Sequence, residues 1–501
     1  MSELQLDVES LDLEANGVAR HEGKVVFVRG ALPGERVAAE TVRRKPKFDV
    51  AQTVAVLRES SARVPSRCPH FGVCGGCSMQ HVDAGAQMAI KQRALEDQLR
   101  HIGKVAPQTW LAPISGPAWR YRHRARLSVR DVPKKGGVLV GFHERASSYV
   151  ADMRECHVLP ARVSDLLLPL RALVESLGIR RRVPQIEVAV GEGGEIVQDD
   201  AGVTGDAGAR GDSGTRGDSG TRGDSGTRGD SGARGDSGTR GDTGARGGEC
   251  IALVLRVLDA PSADDLERLR RFAAERRIEW WLQPKGPDSI ELFCDADGRL
   301  AGEGARSSLG YALAEFGVRM PFRPTDFTQV NARMNEVLVR RTLRWLDPQP
   351  GERVADLFCG LGNFSLPIAA RGAKVVGVEG NRALVERAAR NAALNGLEER
   401  CEFRAADLFA IDDDRWRALG RFDRVLVDPP REGALEVVKA IAADAHRPGR
   451  IVYVSCNPAT LARDAAILVH QGGFVLRAAG ALNMFPHTSH VESMAVFDPP
   501  R

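Results

Sequence analysis

The residues with the most chemical content lie in the last third of the chain. The run Ile451-Val-Tyr-Val-Ser-Cys456-Asn-Pro-Ala-Thr460 is an apolar strand pattern that stops in Ser-Cys-Asn-Pro, which sets a cysteine at the carboxyl edge of a strand. In open α/β sheets that edge is where ligands bind. An acidic glycine turn, Asp356-Leu-Phe-Cys-Gly360-Leu-Gly362-Asn363, precedes it, as does Asp428-Pro-Pro-Arg431, and His490-Val-Glu492-Ser follows. A thiol, a carboxylate and a cofactor turn on one fold have a specific use. Uracil C5 is a poor nucleophile. A thiolate adding to C6 turns the ring into an enolate, and C5 can then attack a sulfonium methyl. A base must afterwards remove the C5 proton so that the thiol can leave. Cys456 is the candidate nucleophile and Glu492 the candidate base.

The turn itself points to the methyl donor. Gly360 and Gly362 allow the backbone to approach a ligand closely. A nicotinamide fingerprint would need a third glycine where Ser365 stands. A second strand ends at Glu379, where an acid suits ribose hydroxyls as in dinucleotide folds. Asp407, after a third strand, is placed for an adenine amino group. Asp428, after a fourth, points at the same cleft, because proline cannot continue a ladder and the chain must turn there. The combination favours S-adenosyl-L-methionine over a dinucleotide.

Two further constellations lie upstream. The loop Cys68-Pro-His-Phe-Gly-Val-Cys74-Gly-Gly-Cys77, with Cys156 in Arg154-Glu-Cys-His-Val-Leu, supplies four thiols. Such a set suits either a [4Fe–4S] cluster or zinc. The spacing leans to iron–sulfur, while His70, His81 and His157 keep a zinc site open. Cys250, Cys294, Cys359 and Cys401 fit no such set and read as packing residues. In Trp119-Arg-Tyr-Arg-His-Arg-Ala-Arg126-Leu-Ser-Val-Arg130, a strand would bring Arg120, Arg122, Arg124, Arg126 and Arg130 to one side by its two-residue period. That stripe matches RNA phosphates.

These residues need elements to hold them. The chain has 501 residues, of which 43% are hydrophobic, enough for about three domains. No apolar run approaches the ~18 residues of a membrane span, and the start lacks a secretory pattern. A cytoplasmic location without membrane contact is expected, so the nine cysteines ask for a use other than disulfides. A net charge of +4 says little about nucleic acid; where the charge sits matters more. Runs at 4–13, 17–28, 36–43 and 48–57 are β-rich, with turn signals at Asn16-Gly17, Glu22-Gly23 and Pro33-Gly34. Arg43, Arg44, Lys45 and Lys47 make a basic tip between the last two. A helix is expected at 87–100 and a mixed region from 119 to 322.

Inside that region glycine recurs at every third position from 205 to 247, with seven Asp, seven Arg and no proline. The collagen period without proline predicts a disordered insertion. Strand-like runs at 185–190 and 251–258 flank it, so it reads as an expanded hairpin loop. From about 325 the pattern alternates strands (353–357, 374–378, 401–404, 424–427, 450–454) with helices (384–395, 461–470). That alternation means a parallel, doubly wound sheet.

Taken together, Asp356-Leu-Phe-Cys-Gly-Leu-Gly-Asn363, Asp428-Pro-Pro-Arg, Ser455-Cys-Asn-Pro-Ala-Thr-Leu-Ala-Arg-Asp464 and His487-Thr-Ser-His-Val-Glu492 resemble the RNA uracil-5-methyltransferase family. The resemblance covers nearly the whole chain except the repeat. It implies a Cys456 nucleophile, a Glu492 base and cofactor contacts from Gln329, Phe358, Asn363, Glu379, Asp407 and Asp428. The subfamily with this cysteine pattern carries a [4Fe–4S] cluster, which the resemblance assigns to Cys68, Cys74, Cys77 and Cys156. The run Val25-Val-Phe-Val-Arg-Gly-Ala-Leu-Pro-Gly-Glu35 resembles a TRAM domain, an OB-like RNA-binding barrel. The expected architecture is multidomain: a TRAM β-barrel at 1–60, a mixed α+β central domain at 61–322 with the cluster loop and the insertion, and a Rossmann-like α/β methyltransferase domain at 323–501. The expected substrate is a uridine of 23S ribosomal RNA, of the uracil(1939) type, modified by a monomer. Alternatives are another ribosomal uridine or transfer RNA and, in a different class, a non-catalytic RNA-binding iron–sulfur protein.

Overall fold

The computed structural model describes residues 3–193, 248–286 and 289–500; the glycine-rich tract at 205–247 lies outside the described residues. At the N-terminus, strands Glu3–Leu11, Gly17–His21, Lys24–Arg29, Arg36–Arg44 and Phe48–Arg58 close into a barrel. Alternate side chains point inward, and Leu6, Val8, Val26, Val28 and Val37 fill the interior. The barrel is tied to the next segment by Glu35, whose side chain is fully buried. It accepts bonds from Arg63 and from the Leu32 and Ser60 amides. The basic residues Arg43, Arg44 and Lys47 stand exposed at the tip.

The central sheet has eight strands. Its middle pair, Gln185–Glu192 and Glu249–Arg256, is antiparallel in unbroken register from Gln185 opposite Arg256 to Glu192 opposite Glu249. The two runs that flank the tract therefore form one hairpin. The sequence-predicted strand from 119 begins only at Arg124 (Arg124–Val132).

The C-terminal sheet carries Cys401–Ala405, Lys374–Glu379, Arg353–Leu357, Arg424–Val427 and Arg450–Ser455 side by side and parallel. The strand order reverses between Arg353–Leu357 and Arg424–Val427, which is where such sheets open a ligand crevice. Glu492–Asp498 then lies antiparallel between Arg450–Ser455 and Val475–Leu482. Thr109–Trp110 adds a last strand at the far edge, pairing with Ala478 and Ala479. The helix Ala84–Gln98, capped by the Asp83 carboxylate, packs Met88 and Leu95 into the core of the same sheet. Residues 84–110, expected in the central segment 61–322, thus cover an edge and a face that the C-terminal sheet would otherwise expose. An unpaired edge is a liability that folds cover in this way.

Gln185–Glu192 and Glu249–Arg256 hold each other in register along their whole length, so the hairpin ladder is complete without residues 194–247. Closing a loop costs only ~0.6 kcal/mol more per doubling of its length. Replacing residues 194–247 by a short turn is expected to leave the melting temperature unchanged or a few degrees higher. A marked drop in a calorimetric scan would show that the tract is part of the fold.

Candidate active site at the carboxyl edge of the C-terminal sheet

Successive strands deliver acids to one edge. Asp356, near the end of Arg353–Leu357, is fully buried; Ser365 Oγ donates to its Oδ2, and its Oδ1 has no partner among the described residues. Burial pushes its carboxyl up to about 7. Phe358 follows at φ 63°, a left-handed conformation that costs a non-glycine residue energy. Gly360 adopts φ 55°, and a Cβ there would meet only open space. Glu379, ending its strand, accepts bonds from the Gly360 and Asn381 amides at 3.1 and 2.9 Å. Asn363 accepts from Tyr311 Oη at 2.8 Å and exchanges bonds with Asn335. Gln329 is half-buried just before Asn331, the N-cap of Ala332–Leu346. Asp407 is exposed and caps the Phe409 amide. An orphaned buried carboxylate oxygen and a strained turn facing open space, with acids on neighbouring strands, fit a ligand carrying an amino group and ribose hydroxyls. Asp356, Tyr311 and Asn335 were not among the sequence-predicted binding residues. An acid inside an otherwise apolar strand was the signal for the first.

The antiparallel pairing brings Cys456 and Glu492 to the same edge. Ser455 lies opposite Ser493 in the antiparallel pair, and Ser493 Oγ donates to the Ser455 carbonyl at 3.0 Å. The ladder ends at that pair; Cys456 is the next residue on one strand and Glu492 the residue before Ser493 on the other, close enough for the Glu492 charge to bear on the thiol. Glu492 is 3% exposed. Burial, and then the nearby Asp428 carboxylate, hold its carboxyl well above the ordinary range. Burial pushes Asp428 up to about 7. The Cys456 thiol is pushed up to about 11, by burial first and then by Glu492 and Asp428, with Arg431 opposing. Asn457 pins this corner. Its side chain caps the helix Pro458–Ala466 and donates to the Arg431 carbonyl at 3.0 Å. The fully buried Asp464 accepts from Tyr453 Oη at 2.6 Å and from the Ala434 amide at 2.8 Å, which fastens the loop after Asp428 to the same helix.

Cys68, Cys74, Cys77 and Cys156 line one small cavity walled by Phe71, Phe142, Met153 and Val158, and all four are free thiols. Burial pushes Cys74 up to about 11 and Cys77 up to about 12, and raises Cys68 and Cys156 as well. A Cβ at Gly76 would press on the Phe142 ring at 3.2 Å and lie 3.4 Å from Cys74 Sγ, so glycine keeps that space clear. Among the described residues no three His, Cys, Asp or Glu are disposed to hold a single metal ion. The four thiols share this cavity with Gln80 and His157. His70 is engaged elsewhere, accepting from the Arg154 amide at 3.2 Å. Cys250, Cys294 and Cys359 are buried and Cys401 half-buried, as packing residues should be.

The arginine stripe needs correction. Residues 120–123 are not in a strand. The amides of Arg120, Arg122 and His123 bond to the carbonyls of His157, Val158 and Val330 instead of a ladder, and Arg120 is left-handed at φ 56°. Arg122 lies over the Phe142 ring, 5.0 Å from its centroid. Arg124 is half-buried and donates to the Asp326 carbonyl. Only Arg126 and Arg130 share an exposed face of the strand Arg124–Val132, and Arg126 pairs with Glu187 at 3.2 Å.

Both the sequence and the fold have known relatives. Residues 316–498 match the family model "tRNA (Uracil-5-)-methyltransferase", residues 2–48 match "TRAM domain", and residues 193–251 match "Collagen triple helix repeat (20 copies)". A Bordetella avium protein named 23S rRNA (uracil(1939)-C(5))-methyltransferase RlmD is 55% identical, covering 98% of this chain and 90% of its own. A Chromobacterium violaceum protein of the same name is 50% identical, covering 98% and 84%. The crystal structure of the Pyrococcus abyssi tRNA (uracil-54, C5)-methyltransferase with S-adenosyl-L-homocysteine covers 99% of this chain and 100% of its own. Its TM-score is 0.67 at 22% identity, a likeness of fold.

The thiol's environment has a measurable consequence. A thiolate is the reactive form, and a thiol held near 11 is ~0.1% ionised at pH 8. Alkylation of Cys456 by iodoacetamide, mapped by mass spectrometry, is expected to speed up about tenfold per pH unit from 7 to 9. Arg431→Gln removes a cation that opposes the shift, so alkylation should be slower at every pH. A flat pH profile, or faster alkylation in Arg431→Gln, would contradict this picture.

Proposed function

The chain belongs to the RNA uracil-5-methyltransferase family, and from that premise we propose that it methylates C5 of a 23S ribosomal RNA uridine, the uracil(1939) for which its relatives are named. It is an S-adenosyl-L-methionine-dependent enzyme. The observation that supports the mechanistic reading is that Cys456 and Glu492 both lie just beyond the Ser455–Ser493 pair that ends the ladder, with Glu492 near enough to raise the thiol. S-adenosyl-L-methionine supplies an electrophilic methyl. Gln329, Phe358, Asn363, Glu379, Asp407 and Asp428 would hold it, and the unpartnered Asp356 Oδ1 is a further candidate contact.

The protein's own part runs as follows. Cys456 Sγ bonds to C6 of the uracil and makes C5 nucleophilic. C5 then takes the methyl as the donor's S–CH₃ bond breaks. Glu492 accepts the C5 proton, and the electron pair left behind expels Cys456. A carboxyl held up by burial is a stronger base once ionised than a solvated one, which suits removal of a carbon-bound proton. The target base must leave its stack to enter so enclosed a site.

The four cysteines Cys68, Cys74, Cys77 and Cys156 would hold a [4Fe–4S] cluster, supported by their shared apolar cavity. Methyl transfer moves no net electrons, so its part is structural. The barrel, its basic tip and the exposed Arg126 and Arg130 would hold the flanking RNA through phosphates. No described helix is long and apolar enough to cross a membrane, and a cytoplasmic monomer fits a ribosomal RNA substrate.

Cys456→Ala is expected to abolish methylation while binding S-adenosyl-L-homocysteine normally. Glu492→Gln should accumulate a covalent protein–RNA adduct at Cys456, and wild-type enzyme should be trapped the same way by 5-fluorouridine RNA. Near wild-type turnover by Cys456→Ala would rule out thiol addition. Transcripts of 23S ribosomal RNA and of transfer RNA should be compared side by side. Preferential labelling of the transfer RNA would reassign the substrate, and RNA binding with no methylation would leave a binding protein. Anaerobically purified protein should contain about four irons per chain; stoichiometric zinc without iron would overturn the cluster.

A further inference from the structure

The segment that leads into Glu492 is held largely by residues far upstream in the chain. Four consecutive carbonyls are each captured by a different part of the preceding chain. Asn331 Nδ2 donates to the Met484 carbonyl at 3.3 Å, and Lys91 Nζ donates to the Phe485 carbonyl at 2.8 Å. Tyr121 Oη donates to the Pro486 carbonyl at 2.8 Å, and the Ser78 and Met79 amides both donate to the His487 carbonyl at 2.9 Å. The His487 amide in turn donates to Gln87 Oε1 at 2.8 Å. His487 itself is left-handed at φ 63°, with its ring stacked on Trp119 at 3.9 Å between centroids. A strained residue of this kind persists only where its surroundings over-determine it.

Lys91 is the least expected member. It lies on the helix Ala84–Gln98 and is 1% exposed. Among the described residues its ammonium donates to neutral oxygens, Asn483 Oδ1 at 2.7 Å and the Phe485 carbonyl. Burial pushes it down to about 7. A buried ammonium without a counter-charge costs stability, and an apolar side chain of the same length would avoid that cost. Both of these bonds fall on the one turn that enters the strand Glu492–Asp498. Gln87, equally buried on the same helix, grips the next residues of that turn.

We propose that Lys91 and Gln87 are positioning residues for Glu492: they lock the 483–487 turn and so set the geometry of proton removal from C5 without touching the nucleotide. The proposal rests on Glu492 acting as the base. It makes the segment after the cysteine loop part of the catalytic apparatus, because Ser78 and Met79 directly follow Cys77 and share the same turn.

The test uses the full-length enzyme and ordinary uridine RNA. Lys91→Met should fold with an equal or higher melting temperature and bind S-adenosyl-L-homocysteine as the wild type does. Its turnover should fall about tenfold or more, since small misplacements of reacting groups are costly. A covalent adduct at Cys456 should accumulate, as it does when the base is removed, because addition and methyl transfer proceed while proton removal lags. Turnover within twofold of wild type, or reduced turnover without adduct, would overturn the proposal. If Lys91→Met does not fold, Gln87→Met is measured in the same way, and the same outcomes support or overturn the proposal. Glu492→Gln is the control for the premise. If that variant forms no adduct on the same RNA, the assignment of the base fails rather than the role of Lys91 and Gln87.

Discussion

The site depends on one strand running against the grain of its sheet. Five parallel strands bring their carboxyl ends to a common edge, and a sixth parallel strand would bring only another carboxyl end. Glu492–Asp498 runs antiparallel instead, so its first residue, not its last, arrives at that edge. Glu492 and Cys456 therefore arrive at the same edge, just beyond the Ser455–Ser493 pair that ends the ladder. The ladder hydrogen bonds fix this relation. Slipping the register by one residue would turn Glu492 to the other face of the sheet.

The burial that this arrangement imposes sets the electrostatics. Asp356, Asp428 and Glu492 are all held above the carboxylate range by loss of water. Cys456 is held as a thiol for the same reason, and by the two acids beside it. The free Cys456 side chain is therefore favoured in its protonated form. Arg431 is the cation that works in the other direction, and its carbonyl is held by Asn457 and Thr460 from the helix after Cys456. The loop that carries the cation is thus tied directly to the corner that carries the thiol.

The N-terminal part of the chain is integral to the C-terminal sheet. Helix Ala84–Gln98 and strand Thr109–Trp110 complete its core and its edge, and Lys91, Tyr121, Ser78 and Met79 hold the turn before Glu492. The cysteine loop reaches the catalytic edge through that turn. Arg122 likewise serves two neighbours, lying over Phe142 in the wall of the cysteine cavity while its amide holds the segment after Cys156 to the strand that begins at Arg124.

Local pattern was enough for much of this. The strand-to-turn break at Ser455-Cys456-Asn-Pro, the acids at or just past the ends of the other four parallel strands and the period-two alternation of the barrel are written in neighbouring residues, where steric and hydrophobic rules act directly. The hairpin around the glycine tract was legible for the same reason, since each flank reads as a strand on its own. The arginine run misled because a two-residue period presumes a ladder, and the amides of Arg120 and Arg122 bond to His157 and Val158 instead. Sequence spacing likewise cannot show that Lys91 lies beneath residue 485, or that Glu492 is buried rather than a surface acid. Those facts depend on hydrogen bonds between residues some four hundred positions apart, as the Lys91–Asn483 and Gln87–His487 pairs show. Packing of the helix Ala84–Gln98 on the C-terminal sheet brings these pairs together.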